Sequence, residues 1–385
     1  MKRKYLTGRN PLNGEGMRVE YEDQHIVAVE HGLAHNPENG FICPGFVDLQ
    51  VNGYAGYDLN TPVLKVHAVL SLITAMHSRG VTTFLPTLIT GPSDQIAQSL
   101  AVIAQARNVD SDAAHTIPFV HLEGPWITDE DGPRGAHDRR HVTVPDLGQF
   151  RAWQQACGNL IGLMTLSPHF ENSAEIIAAL TKEGVIVSIG HTNATAEQIT
   201  TAVDAGARLS THLGNGAASM LPRHPNFIWS QLGDDRLKAC FIADGHHLPA
   251  DTFKSMLRAK GIQRSILVSD VTAVGGLPAG TYDQPVGGSV ELSKDGRLSL
   301  AGTPYLAGAA LSLPGIVACA VDLAGIDISV ALQLATENPG ALLGGRGTLE
   351  VGASADVVRF HWKPGFRDLD IDTVLVRGEA VGVSI

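Results

Sequence analysis

Beyond residue 44 the chain alternates between two patterns. Short, almost wholly apolar runs end in a glycine or a polar residue, and each is followed by a longer segment of helical period. The apolar runs at 46–51, 82–87, 117–122, 160–166, 185–189, 207–211, 239–243 and 266–269 are expected strands. The segments 64–79, 93–107, 173–182, 195–205 and 250–260 are among the expected helices. A strand apolar on both faces needs cover on both sides, and helices between strands supply it, so the pattern predicts a parallel sheet. Eight such strands in succession fit a closed (β/α)8 TIM-type barrel. A doubly wound sheet would show the same local pattern.

The two ends of the chain differ from this middle. Residues 21–30 carry a β-branched run, and His35-Asn36-Pro37 is a loop signal. Near the other end, Gly347-Thr348-Leu349, Ala355 to His361 and Asp372 to Val383 also read as strands, with no helical period. Both ends are expected to pair into one small β-sandwich. The division that follows is 1–43 plus 346–385 for the small domain and 44–345 for the barrel. The glycine-rich stretch 275–303 is expected to be a long loop after the eighth strand, with a hairpin at Gly287-Gly288 and Lys294-Asp295-Gly296.

Composition narrows the function. The 385 residues are 44% hydrophobic and 17% charged, an ordinary globular composition. Lys and Arg total 28 against 39 Asp and Glu, a net charge of −11. That sign argues against nucleic acid or an anionic membrane as partner, though not against a small anion held by a few local cations. Cys43, Cys157, Cys240 and Cys319 lie far apart and form no CxxC, so a thiolate zinc knuckle is not expected and a reducing, cytoplasmic setting is. The first ten residues lack the apolar core of a signal peptide, and no run approaches the ~20 apolar residues of a membrane helix. Sixteen histidines are the compositional oddity.

Several of those histidines stand where the apolar runs stop. The third run leads into His121-Leu122-Glu123-Gly124-Pro125, the fifth into Gly190-His191-Thr192-Asn193, the sixth into Thr211-His212-Leu213, the seventh into Asp244-Gly245-His246-His247 and the eighth into Ser269-Asp270. In a parallel barrel these ends share one face. Glu123, His191 and His212 form a His₂Glu donor set for one divalent metal with a position left open. A carboxylate such as Asp270 beside an activated water can take up a proton and later deliver it to a leaving amine. It could equally orient a histidine.

With these residues assembled, the sequence is similar to the N-acetylglucosamine-6-phosphate deacetylase branch of the amidohydrolase superfamily. Pro44-Gly45-Phe46-Val47-Asp48 resembles the superfamily's opening motif, with Gln50 and Asn52 where other branches carry two histidines. Leu85-Pro86-Thr87-Leu88-Ile89-Thr90, His121-Leu122-Glu123-Gly124-Pro125-Trp126, Gly190-His191-Thr192-Asn193-Ala194 and Ile242-Ala243-Asp244-Gly245-His246-His247 extend the likeness over nearly the whole chain. The resemblance implies hydrolysis of the N-acetyl group of an N-acetylhexosamine 6-phosphate in a cytoplasmic homodimer. It implies one divalent ion per chain, zinc by preference, with Fe2+, Mn2+ or Co2+ as alternatives. Glu123, His191 and His212 fall on the metal ligands, Asp270 on the acid/base, and His137 on a histidine that meets the sugar or the acetyl carbonyl. Asn215, Gly216, Arg223 and His247 fall on the substrate and phosphate side, with Gln50 and Asn52 bordering the same site. Two features depart from the branch: Leu213-Gly214-Asn215-Gly216-Ala217 lacks its bulky residues around Asn215, and His246 precedes His247. These changes touch the sugar side, so a galacto epimer, an unphosphorylated sugar or a non-catalytic sugar-phosphate binder stand as alternatives. A cyclic-amide hydrolase fits less well, because no lysine ends the fourth run at Ser167-Pro168-His169.

Overall fold

The computed structural model describes residues 3–34, 36, 38–284, 288–303 and 305–382. His35, Pro37, Gly287 and Val383, on which some of the expected turns and strand ends fall, lie outside the described residues. Eight parallel strands stand side by side in chain order: Phe46–Val51, Val81–Ile89, Val120–Glu123, Ile161–Leu166, Ile186–Ile189, Leu209–Ser210, Lys238–Phe241 and Ser265–Leu267. The ring closes where the chain leaves the eighth strand. Val271 bridges Val51 in parallel, the Asp270 amide donates to the Gln50 carbonyl (3.0 Å) and the Asn52 amide to the Val271 carbonyl (2.9 Å). Sequential order with first and last strands adjacent makes this a barrel and excludes the doubly wound arrangement.

A helix follows every strand: Val66–Ser78, Ser93–Val109, Leu147–Cys157, Ser173–Lys182, Ala196–Ala205, Phe227–Gly233, Ala250–Lys260 and Leu313–Ala324. Local chemistry fixes their ends. Thr195 and Gln198 form a reciprocal capping box, the Asp146 carboxylate accepts from the amides of Gly148 and Gln149, and Gly158 closes its helix with φ +65°. The strands are buried along nearly their whole length, with Phe46, Phe84, Leu122, Met164, Val187, Phe241 and Leu267 at or near zero exposure. That double-sided burial is why the runs read as continuous apolar stretches rather than alternating ones.

Strands from both chain ends share one sheet, in the order Glu379–Val381, Asp370–Val376, Val357–His361, Phe41–Pro44, Lys4–Arg9, Gly16–Glu22, His25–Leu33. The sheet curls over one apolar face. Val357 and Leu375 from one half cluster with Met17, Val19, Tyr21 and Ile26 from the other. Its opposite face, with Val358, Phe360, Val374 and Val376, joins the core of the barrel. Two-residue turns with both residues at positive φ, Asp23-Gln24 and Arg377-Gly378, link its hairpins.

Three expectations change. Gly347-Thr348-Leu349 is irregular, not a strand. The third barrel strand begins after Pro118, because the Ile117 amide ends the short helix Ser111–Thr116 by donating to the Ala113 carbonyl. The stretch 275–303 is an antiparallel meander, Gly280–Gln284, Gly288–Leu292 and Leu298–Leu300, turning at Lys294-Asp295-Gly296. Val274, Val290, Leu292, Leu298, Ala307 and Ala310 give it a small core of its own, which a plain loop would lack.

Candidate active site

The polar residues at the strand ends do converge, and the backbone bends to aim them. His191, His212 and Asp270 have φ of +46°, +28° and +51°, and Gly124, directly after Glu123, has φ +78°. A non-glycine residue in the left-handed region costs on the order of 1–3 kcal/mol and persists only where surrounding structure over-determines it. Here each such residue ends a strand and turns its side chain over the barrel mouth.

Glu123 Oε1 lies 3.2 Å from His191 Nε2 and 3.0 Å from His212 Nε2, and the two ring nitrogens are 3.2 Å apart. Tetrahedral coordination with bonds of ~2.0–2.1 Å has edges of roughly 3.3 Å, so the spacing suits one small divalent cation. The hydrogen bonds agree. His191 Nδ1 is 2.9 Å from the Pro133 carbonyl, which only accepts, so Nδ1 carries a proton and Nε2 is the ring nitrogen that would coordinate a cation. The three side chains are all buried, and three protein donors leave a coordination position open. Gln50 Nε2 donates to the same Glu123 oxygen at 3.0 Å. Burial works against the Glu123 carboxylate, but the bonds from His191 and His212 outweigh it and hold its pKa well below the usual range.

Asp270 stands beside this cluster. Its Oδ1 accepts from Asn52 Nδ2 at 2.7 Å. Burial first, then the Glu123 charge, push its pKa up to about 6. Asp48 accepts from the Ser269 hydroxyl at 2.5 Å and from the amides of Gln50 and Ser269, tying the first strand to the segment after the eighth. Burial raises Asp48 to about 7. His137, in the loop after the third strand, points Nε2 at His191 Nε2 (3.2 Å) and Nδ1 at Thr90 Oγ1 (2.8 Å). Burial and the neighbouring His191 hold its pKa well below the ordinary value. A cavity of about 620 Å³ opens beside His137 and Thr90, lined also by Asn60, Arg134 and Arg139.

The residues expected on the substrate side are less tightly gathered. His247 Nδ1 pairs with the buried Asp244 carboxylate at 2.7 Å. Asn215 folds its amide back onto the His212 carbonyl at 3.2 Å. Gly214 and Gly216 adopt φ +96° and +57°, and a Cβ on Gly216 would stand 2.9 Å from His191 Nδ1, so that glycine lets the loop lie against the ring. Arg223 is exposed and outside the cluster. Sequence reasoning gave no role to four residues that act as partners here: Asp48, Thr90, Asp244 and Ser269. Each stood within a quoted motif. The usable signal was position, since each lies within three residues of a strand-end residue or directly past the second strand.

The residues 41–381 match the model of the amidohydrolase family. The chain belongs to that family. Among its curated amidohydrolase relatives, the N-acetylglucosamine-6-phosphate deacetylase of Bos taurus is 34% identical over 334 residues, 82% of this chain and 78% of the relative. The N-acetylgalactosamine-6-phosphate deacetylase of Escherichia coli O157:H7 is 31% identical over 371 residues, covering 92% and 93%. A solved aspartate-to-alanine mutant of the N-acetyl-D-glucosamine-6-phosphate deacetylase of Mycobacterium smegmatis, in complex with N-acetyl-D-glucosamine-6-phosphate, superposes with a TM-score of 0.87 at 25% identity. It covers 99% of this chain and 100% of its own. Among the described residues no helix is long and apolar enough to cross a membrane.

Proposed function

We propose that this amidohydrolase removes the acetyl group from an N-acetylhexosamine 6-phosphate, N-acetylglucosamine 6-phosphate first, giving the amino sugar phosphate and acetate. The observation that carries the reading is the buried Glu123–His191–His212 cluster with Asp270 beside it, an open donor set next to a carboxyl poised near neutrality. A divalent cation held by those three residues, zinc by preference, supplies Lewis-acid activation of water and of the acetyl carbonyl. Asp270 takes a proton from the attacking water. The amide C–N bond then breaks, and Asp270 returns that proton to the leaving nitrogen, so the acid and base roles fall to one group. Asn52 holds the carboxylate in place, and His137 donates to the carbonyl oxygen as negative charge develops on it. Asn215, Gly216, His247, Gln50 and Asn52 border the sugar. Arg223 meets the phosphate, reaching the site of a neighbouring subunit in a cytoplasmic homodimer. A barrel at 44–345 carries the chemistry, and the ends 1–43 and 346–385 form its companion domain.

The test is a deacetylation panel with gluco, galacto and manno N-acetyl sugars, each with and without 6-phosphate, alongside metal analysis. The gluco 6-phosphate should give the highest kcat/KM. Preference for the galacto epimer would move the assignment to the activity named for the Escherichia coli relative. Preference for an unphosphorylated sugar would retain the deacetylase and remove the phosphate.

A further inference from the structure

His137 is useful as a hydrogen-bond donor only if its Nε2, the nitrogen facing the site, carries the ring proton. A neutral imidazole has one such proton, and the alternative tautomer would present a lone pair to a developing negative charge. The surrounding bonds decide between the two. His137 Nδ1 has the hydroxyl of Thr90 as its side-chain partner, at 2.8 Å. Thr90 is buried, its hydroxyl proton needs an acceptor, and His137 Nδ1 is at hydrogen-bond distance.

We infer that Thr90 is a positioning residue that sets the tautomer of His137, donating its hydroxyl proton to Nδ1 so that an Nε2–H faces the acetyl carbonyl. The fold makes room for this bond. A Cβ on the residue after Glu123 would stand 2.2 Å from Thr90 Oγ1, and that residue is Gly124. The glycine next to a metal-site carboxylate thus has a second use, which is to admit the hydroxyl of the neighbouring strand end. Wrong-tautomer and lost-donor defects typically cost ~10²-fold or more in turnover.

The inference rests on the reading that His137 meets the carbonyl, and one of its measurements does not. Selective ¹⁵N labelling of histidine in the full chain distinguishes Nδ1–H from Nε2–H by the one-bond and two-bond ¹⁵N–¹H couplings. Wild type, compared with His137→Gln to assign the signal, should show His137 as the Nε2–H tautomer before any substrate is added. An Nδ1–H tautomer overturns the inference, even if the deacetylase assignment stands. In kinetics with N-acetylglucosamine 6-phosphate, Thr90→Val keeps the shape and removes the hydroxyl. It should lower kcat by about 10²-fold with KM within about 3-fold. Thr90→Ser restores the donor and should stay within about 3-fold of wild type in both. Equal losses in the two variants, or wild-type turnover in Thr90→Val, overturn it. Should Thr90→Val fail to fold, the wild-type tautomer and the serine variant still decide.

Discussion

The two sides of the barrel mouth are built differently. At the candidate metal site, Glu123, His191, His212 and Asp270 are buried, and Glu123 touches Gln50, His191 and His212 from three different strand ends. On the sugar side, Asn215 leans on its own loop, two glycines at positive φ shape the backbone, and Arg223 is exposed. A side held by many partners cannot move without breaking several bonds. A side held by few can be redrawn by one substitution. On the proposed reading, the contrast puts reaction type in the barrel strands and substrate choice in the loop after His212.

The strongest way to break this contrast is to attack the over-determined side. His212→Ala removes one of three donors and leaves Glu123 buried with fewer partners. Bound metal and deacetylation should both fall to background, as they should on chelation, and activity should return when a divalent ion is restored to wild type. Wild type should hold one ion per chain, because Gln50 and Asn52 offer neutral amides already engaged with Glu123 and Asp270. Two tightly bound ions per chain would show that the first strand contributes a second site.

Asp270→Asn should come next. Turnover should drop by at least ~10²-fold while metal content stays near wild type if, as proposed, the residue moves protons rather than holding the ion. Equal loss of both would make it a ligand. Stability should move the opposite way. The Asp270 pKa is raised in the folded state to about 6 from an ordinary 3.8, so the folded protein binds this proton more tightly than the unfolded chain. Its contribution is fully present below pH 3.8 and is lost as pH rises through about 6, where the buried charge costs up to about 3 kcal/mol. In the metal-free protein, Asp270→Asn should therefore gain thermal stability over wild type as pH goes from 4 to 7. A difference that does not change with pH would refute that account.

Much of this was legible in the sequence, for identifiable reasons. Strands buried on both faces leave unbroken apolar runs, so all eight were visible, and polar residues stand out against such runs at their ends. The meander at 280–300 was read as a loop with a hairpin, its three-stranded extent hidden because glycines mask a strand's alternation and its core is completed by Val274, Ala307 and Ala310 from outside its strands. The partners Thr90, Asp244 and Ser269 were given no role because a threonine, serine or aspartate at a strand end has many structural uses. Only a distance, such as 2.8 Å from Thr90 Oγ1 to His137 Nδ1, separates one use from another.

The mildest effect should come from the open side, at Arg223. The protein carries −11, so a dianionic sugar phosphate is repelled at long range and must be captured locally. Arginine suits that task because its planar fork meets two phosphate oxygens at once. A charge-assisted contact of this kind is worth about 1.5–3 kcal/mol, or roughly 10–150-fold in affinity. Arg223→Ala should thus raise KM for the phosphorylated sugar by that factor, leave kcat nearly unchanged, and hardly alter kcat/KM for the unphosphorylated sugar. Running both substrates on both proteins separates the outcomes. Equal loss on the two sugars makes Arg223 a structural loop residue. No loss on either puts phosphate capture on His247 and the amides around Gly216, and the sugar side is then less dependent on the exposed loop than the contrast between the two sides requires.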